Sequence, residues 1–248
     1  MIKVLVTNDD GIEAKGIKIL AKALKSVKNV KVIVVAPDRE QSTTSHSLSL
    51  HRPLRVFKKS KDHHAVNGTP VDSVYMGVSV VLKEKPDFIF SGINRGGNLG
   101  DDIHYSGTVS AAVEGGIMGI PSVAMSQMIR HKENYTMAGE FAKKLLQFLI
   151  KKSLPEGTIL NVNVPENLKN LDYEITKTGK RDYGEMQVEK TDPRGRPYYW
   201  IGGSGYHFFD VKNSDCNAIV AGKISVTPIQ VDMTDHRFIK EMSGWKIV

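Results

Sequence analysis

Cysteine is almost absent: Cys216 is the single one in 248 residues. That excludes a disulfide framework and a cysteine-built metal centre, and no His-x3-His spacing offers zinc an alternative. No apolar run approaches the length that spans a bilayer, and no charged leader precedes a long apolar segment. A cytoplasmic protein without a membrane partner is therefore expected. Segregated charge is also missing. The net charge is +7, yet Lys177, Lys180, Arg181, Lys190, Arg194 and Arg196 are interleaved with Asp182, Glu185, Glu189 and Asp192. A mixed surface of this kind argues against a nucleic-acid partner, while the positive excess still favours small anions such as phosphates. Two nucleotide-binding signatures are lacking too. No G-x-G-x-x-G follows the first strand, and no Gly-Lys-Ser/Thr closes the later glycine-rich stretch. Internal repeats and low-complexity segments are absent as well.

What is present is an ordinary globular balance, 40% hydrophobic and 25% charged, enough for one large α/β domain or a domain with an appendage. The first residues, Ile2 to Val6, read as a buried strand of a parallel sheet. That strand ends in Asn8-Asp9-Asp10-Gly11. Ligands of open α/β sheets gather at the carboxyl ends of the strands, and adjacent carboxylates there repel one another unless a cation lies between them or one is protonated. A hard divalent ion such as Mg²⁺ is the simplest remedy; an acidic helix cap is the alternative. Ile17, Leu20, Ala21 and Leu24 then mark an amphipathic helix, and residues 30–36 a second strand, so a right-handed βαβ unit is predicted. The loop that follows, residues 37–47, is rich in hydroxyls that suit either oxygen ligands or turns. Thr69-Pro70-Val71-Asp72 reads as a capping box opening a helix with Val74, Val78, Val81 and Leu82 on its buried face.

After the strand at residues 87–91 comes the second informative stretch, running from Ser91 to Thr108. Its glycines (Gly92, Gly96, Gly97, Gly100) allow the backbone to approach a ligand closely and to turn N–H groups toward an anion. Ser106-Gly107-Thr108 then opens a small-residue helix, whose free N–H groups and two hydroxyls make a phosphate site. Further on, residues 121–126 and 159–164 read as strands and Ala138 to Leu149 as an amphipathic helix. From about residue 172 the pattern shifts to short alternating segments. A hairpin at 183–201, turning at Asp192-Pro193-Arg194-Gly195, is too small to stand alone and is expected to pack on a partner subunit.

Taken together, these blocks resemble the stationary-phase survival protein SurE family of nucleoside-monophosphate phosphatases. The resemblance rests on Asn8-Asp9-Asp10-Gly11, on Ala36-Pro37-Asp38-Arg39 leading to Ser42, on Ser91-Gly92-Ile93-Asn94, and on Asn98-Leu99-Gly100-Asp101-Asp102 running into Tyr105-Ser106-Gly107-Thr108-Val109. Val226-Thr227-Pro228 and Thr234-Asp235-His236 extend it to the C-terminal part. It implies a Rossmann-like three-layer α/β sandwich with a mostly parallel sheet. Residues 1–170 would form the catalytic core. Residues 171–248 would form a hairpin and an arm exchanged between subunits of a homodimer or homotetramer, part of the same structural unit. It further implies one divalent cation per subunit, Mg²⁺ or Mn²⁺, on Asp9, Asp10, Ser42 and Asn94. The implied reaction is hydrolysis of nucleoside 5′- and 3′-monophosphates and, in some members, of short polyphosphate.

Set beside that resemblance, the residues suggest a division of labour. Asn98, Ser106, Gly107 and Thr108 would bind the phosphate. Asp9 and Asp10 are the catalytic acids, with Asp10 the better placed to orient or deprotonate water. An aspartyl-phosphate on Asp9 is the alternative route. It is disfavoured because adjacent acids on an extended segment point to opposite sides. His104 and His236 are candidate proton donors to the leaving oxygen. A non-catalytic nucleotide- or polyphosphate-binding regulator is the competing function.

Overall fold

In the computed structural model, which describes residues 1–184, 187–201 and 207–246, the N-terminal apolar run is β1 (Ile2–Thr7), with Val4 to Thr7 buried. It leads into α1 (Lys15–Lys25), which buries Ile17, Leu20, Ala21 and Leu24, and then into β2 (Val30–Pro37), paired parallel to β1. The sequence's βαβ unit is thus realised. Beyond the hydroxyl-rich loop, β3 (Val56–Lys58) and β4 (His63–Val66) extend the sheet past β2.

The capping box opens α2 (Pro70–Met76) as expected. The Thr69 hydroxyl accepts from the Asp72 N–H at 3.0 Å, and the Asp72 carboxylate accepts from the Thr69 N–H at 2.9 Å. The helix then widens into π-type turns over Gly77–Leu82. That departure from a 3.6-residue repeat explains why Val74 is fully buried while Val78, Val81 and Leu82 are only half-buried.

The chain continues through β5 (Phe88–Arg95), α3 (Gly107–Ile117), β6 (Ser122–Gln127), α4 (Thr136–Leu149) and β7 (Thr158–Val164). It then runs through β8 (Tyr173–Ile175), β9 (Arg181–Asp182), β10 (Gln187–Thr191), β11 (Pro197–Ile201), β12 (His207–Phe208), α5 (Asp215–Val220), β13 (Ile224–Gln230) and α6 (His236–Met242). The main sheet has the order β3-β4-β2-β1-β5-β6-β7-β13-β8. From β4 to β7 every pairing is parallel.

Helices cover both faces. On one side Ile17, Leu20 and Leu24 of α1 and Phe141, Ala142 and Leu146 of α4 pack on Val4, Val34, Phe90 and Val162. On the other, Val74 of α2 and Ala111 of α3 pack on Leu5, Ile33, Val35 and Ile89. This is the three-layer, Rossmann-like sandwich that the family resemblance implied. Chain direction across the sheet reverses between β1 and β5: β1 leads outward to β2, whereas β5 leads the other way to β6. Their carboxyl ends define the topological switch point.

Past residue 170, β8 and β13 join this sheet, while β10 with β11 and β9 with β12 form two separate two-stranded sheets. β13 inserts between β7 and β8, antiparallel to the first and parallel to the second. The hairpin pairs β10 with β11 around the Asp192–Gly195 turn, where the Asp192 carboxylate accepts from Arg194 and Arg196 N–H groups. Both strands are exposed throughout. Residues 185 and 186 of the expected 183–201 hairpin lie outside the described residues, as do 202–206 and 247–248 of the C-terminal segment. Among the described residues no helix is long and apolar enough to cross a membrane.

Candidate active site

β1 ends by delivering Asp9 and Asp10 to the switch point, and a turn at Gly11 holds them there. The Asn8 amide donates to the Gly11 carbonyl at 2.9 Å. Gly11 has φ +92°, and a Cβ there would lie 3.0 Å from the Arg39 backbone, so glycine is required on both counts. The Asp9 carbonyl accepts from the Gln41 N–H at 2.7 Å, drawing the hydroxyl-rich loop over the end of β1. β5 contributes Asn94 and Arg95 just past a register shift against β6 between Ser91 and Asn94, the kind of irregularity that re-aims a side chain.

A polar cavity of about 510 Å³ lies between these elements, lined by Asp9, Asp10, Glu40, Ser42, Asn94, Asn98 and Ser106, with Arg95, Tyr105 and Ile129 among its other walls. All four expected metal ligands are thus brought together. So are two of the four expected phosphate-binding residues, Asn98 and Ser106. The other two lie behind the wall. Gly107 packs its backbone against Asp9, where a Cβ would come within 2.9 Å of the Asp9 Cβ. Thr108 is fully buried and its hydroxyl donates to Asp9 Oδ1. The Ser106 side chain caps α3 by accepting from the Val109 N–H at 3.1 Å.

Neither expected proton donor has its ring in the cavity lining within one chain. His104 is exposed, and its carbonyl accepts from the Ser45 hydroxyl at 2.7 Å. His236, in the first turn of α6, is held by Asp232 at 2.6 Å. Sequence reasoning did not single out Glu40, Arg95 or Tyr105 as wall residues, since nothing local marks them. It also passed over Asn161 and Asn163, buried polar residues of β7 whose amides reach the backbone of Asn98.

Electrostatically the two acids of the site burden one another. Burial raises the Asp9 carboxyl above its ordinary value, opposed mainly by the Thr108 hydroxyl. Asp10 is pushed up to about 6, first by burial and then by the charge of Asp9, with Glu40 adding to the repulsion. The Arg95 backbone N–H, which donates to Asp10 Oδ2 at 3.1 Å, partly offsets this. The two acids lie in a bend just past β1 and turn to different partners, Asp9 inward to α3 and Asp10 toward β5.

The remaining donors suit a hard ion. The Asn94 Nδ2 is spent on the Gly96 carbonyl at 3.0 Å, which leaves its amide oxygen as acceptor. The Ser42 hydroxyl donates to Glu40 at 2.7 Å and keeps its lone pairs. Two carboxylates, a hydroxyl and an amide oxygen form an all-oxygen set of the type Mg²⁺ and Mn²⁺ prefer. Among the described residues no three His, Cys, Asp or Glu side chains converge as a metal cluster, here or elsewhere, so the set in this cavity rests on two carboxylates and neutral oxygens. A second concavity of about 560 Å³, between the end of α4 and β8, is walled by Phe141, Leu145, Phe148 and Tyr173 and offers no carboxylate.

Fold and site together define a doubly wound α/β protein with an acidic, polar pocket at its switch point. The model of the family described as "Survival protein SurE" matches residues 4–185. The chain is 49% identical to 5′-nucleotidase SurE of Geobacter sulfurreducens, covering 99% of this chain and 94% of that protein. It is 44% identical to 5′-nucleotidase SurE of Myxococcus xanthus, over 99% and 94% respectively. The crystal structure of the SurE protein from Aquifex aeolicus superposes with a TM-score of 0.88 at 40% identity, covering 97% of this chain and 98% of that one. The chain belongs to the SurE family.

Proposed function

We propose that this protein is a metal-dependent 5′-nucleotidase that hydrolyses nucleoside 5′-monophosphates to nucleoside and phosphate, and acts on 3′-monophosphates and short polyphosphate as well. The reading is carried by the paired, repelling acids Asp9 and Asp10, set with Ser42, Asn94, Asn98 and Ser106 around a single polar cavity. The activity printed for relatives of this similarity, 5′-nucleotidase, supports the same choice.

Asp9, Asp10, Ser42 and Asn94 would hold one divalent cation. When bound, such an ion offsets charge on phosphoryl oxygens and makes water more acidic. Asp10, the more accessible of the two acids, orients water and takes its proton as the water oxygen bonds to phosphorus and the ester P–O bond breaks. Asp9, pinned by Thr108, stays in place as a ligand. Asn98 and Ser106 meet the equatorial oxygens. His104 and His236 remain the candidates to protonate the leaving oxygen.

A homodimer or homotetramer, with the C-terminal arm exchanged, accounts for apolar side chains that one chain leaves uncovered. These are Tyr199, Trp200 and Ile201 on the hairpin and Ile239 and Trp245 in and after α6. A cytoplasmic location fits the lone, buried Cys216.

The decisive assay is inorganic phosphate release from a panel of nucleoside 5′- and 3′-monophosphates with Mg²⁺, with Mn²⁺ and with chelator. Release that depends on metal and is lost in Asp10→Asn is expected. Nucleotide binding by calorimetry without any release would replace the enzyme by a nucleotide-binding regulator.

A further inference from the structure

A parallel strand covered on both faces is ordinarily built of valine, isoleucine and leucine. β7 departs from this. Leu160, Val162 and Val164 pack into the core beside α1 and α4, but the opposite face carries Asn161 and Asn163, both fully buried. Burying two primary amides in the middle of a sheet is costly unless they are hydrogen-bonded. Here the hydrogen bonds they form go to one residue, with Asn161 Oδ1 left without a partner among the described residues. Asn163 Oδ1 accepts from the Asn98 N–H at 2.8 Å, and the Asn163 and Asn161 amide nitrogens donate to the Asn98 carbonyl at 3.0 and 2.8 Å. From β6, the buried Ser126 hydroxyl accepts from Asn98 Nδ2 at 2.8 Å. An amide nitrogen carries two hydrogens, and Ser126 takes one of them.

Asn98 lies in a loop beyond β5, where no sheet partner is available to its backbone. Its N–H and carbonyl are nevertheless held by the buried amides of β7, Asn163 taking part in both, and its side chain is held by Ser126. The neighbouring loop backbone is fitted just as closely: a Cβ on Gly97 would lie 2.3 Å from the Met128 sulfur. Such fixation matters for a group that must meet charge developing on a phosphoryl oxygen. A donor already aimed costs no reorganisation at the moment of reaction.

We propose that Asn161 and Asn163, with Ser126, are positioning residues: an amide clamp that presents Asn98 to the phosphate side of the cavity. The clamp acts on substrate and transition state through Asn98, and it rests on the reading of the cavity as a phosphoester site. It predicts that phosphate recognition and metal binding are separable, because none of the three clamp residues lines the cavity beside Asp9 and Asp10.

The test uses the full-length protein with Asn161→Leu, Asn163→Leu and Ser126→Ala. Each is measured for kcat and KM on a nucleoside 5′-monophosphate, for inhibition by inorganic phosphate, for Mn²⁺ affinity by calorimetry and for Tm. In Asn163→Leu, kcat/KM is expected to fall about 10- to 100-fold, with phosphate inhibition weakened by a similar factor and Mn²⁺ affinity held within about twofold. Ser126→Ala cuts only the side-chain tie and is expected to lose about three- to tenfold on the same two phosphate readouts.

Wild-type kcat/KM and phosphate inhibition in a folded Asn163→Leu overturn the proposal. So does a parallel fall in phosphate affinity, Mn²⁺ affinity and Tm, which is what general loosening would give. If the leucine variants do not fold, Ser126→Ala decides on the same readouts. If the wild-type protein releases phosphate from no ester, the underlying reading of the cavity is what fails. The clamp is then judged by calorimetry with inorganic phosphate, wild type against Ser126→Ala, and equal affinity overturns it.

Discussion

The metal-free protein carries an internal stress that can be relieved by removing one charge. Asp10 is moved from its ordinary value of 3.8 to about 6 by burial and by Asp9. At a pH well above 6 that displacement costs the folded state about 3 kcal/mol, and solvent at the exposed part of the side chain trims it to about 2 kcal/mol. The sign follows from the direction. The folded-state value lies above the unfolded one, so the penalty is full above about 6 and fades as the pH falls toward 3.8.

Asp10→Asn removes the charge but keeps an oxygen to accept from the Arg95 N–H. In chelator at pH 7.5 the variant should melt about 4–8 °C above the wild type, given about 2–4 °C per kcal/mol for a chain of this size. The gap should narrow steadily at pH 6 and pH 5. Added Mn²⁺ should invert the order, because the wild type gains binding free energy that the variant largely forgoes. Circular-dichroism melts across that pH series test all three statements. A variant that melts at or below the wild type at pH 7.5, or a gap indifferent to pH, would refute the reasoning. Phosphate release should be lost in the same variant, so a residue whose charge burdens the fold is one the reaction needs.

Two other substitutions probe the scaffold around this pair. Thr108→Val removes the hydroxyl donated to the buried Asp9; Asp9 should then ionise at higher pH still, shifting the acidic limb of kcat/KM upward and costing about 1.5–3 kcal/mol of stability. An unmoved limb would disconnect Thr108 from the acid. Gly16→Ala should lower Tm even though alanine is the better helix former, because its Cβ would stand 1.9 Å from the Ile93 carbonyl and push α1 off β5. A cost of about 1–3 kcal/mol is expected from thermal melts, and an unchanged or raised Tm would show that the contact yields freely.

What the sequence makes legible here is what local pattern encodes. β1, α1 and β2 announce themselves by periodicity, the Thr69 box by residue type, and the acids of β1 by the improbability of two carboxylates closing an apolar strand. The expected ligand set came with the family blocks, and the fold brings its four members to one cavity. Other features depend on which distant residues become neighbours. Glu40 matters through its charge on Asp9 and Asp10 across a loop. Thr108 reads as a phosphate donor at a helix start, yet its hydroxyl goes to Asp9. Asn161 and Asn163 alternate with Leu160 and Val162 like any half-exposed strand, and only the sheet's position turns their polar face inward. The insertion of β13 beside β7 has no local signal at all, because strand order is set by pairing across the chain.

That insertion also governs when the molecule can finish folding. β7 is complete at Val164, but the strand that covers its outer edge is not complete until Gln230. During synthesis at about 5–20 residues per second, that edge stands bare for several seconds, with a row of main-chain donors and acceptors open to any passing strand. The last third of the chain thus serves as a lock. Until it emerges, the nascent sheet must be shielded from its own copies, and a chain cut short before β13 is exposed to aggregation however sound its switch-point cavity is.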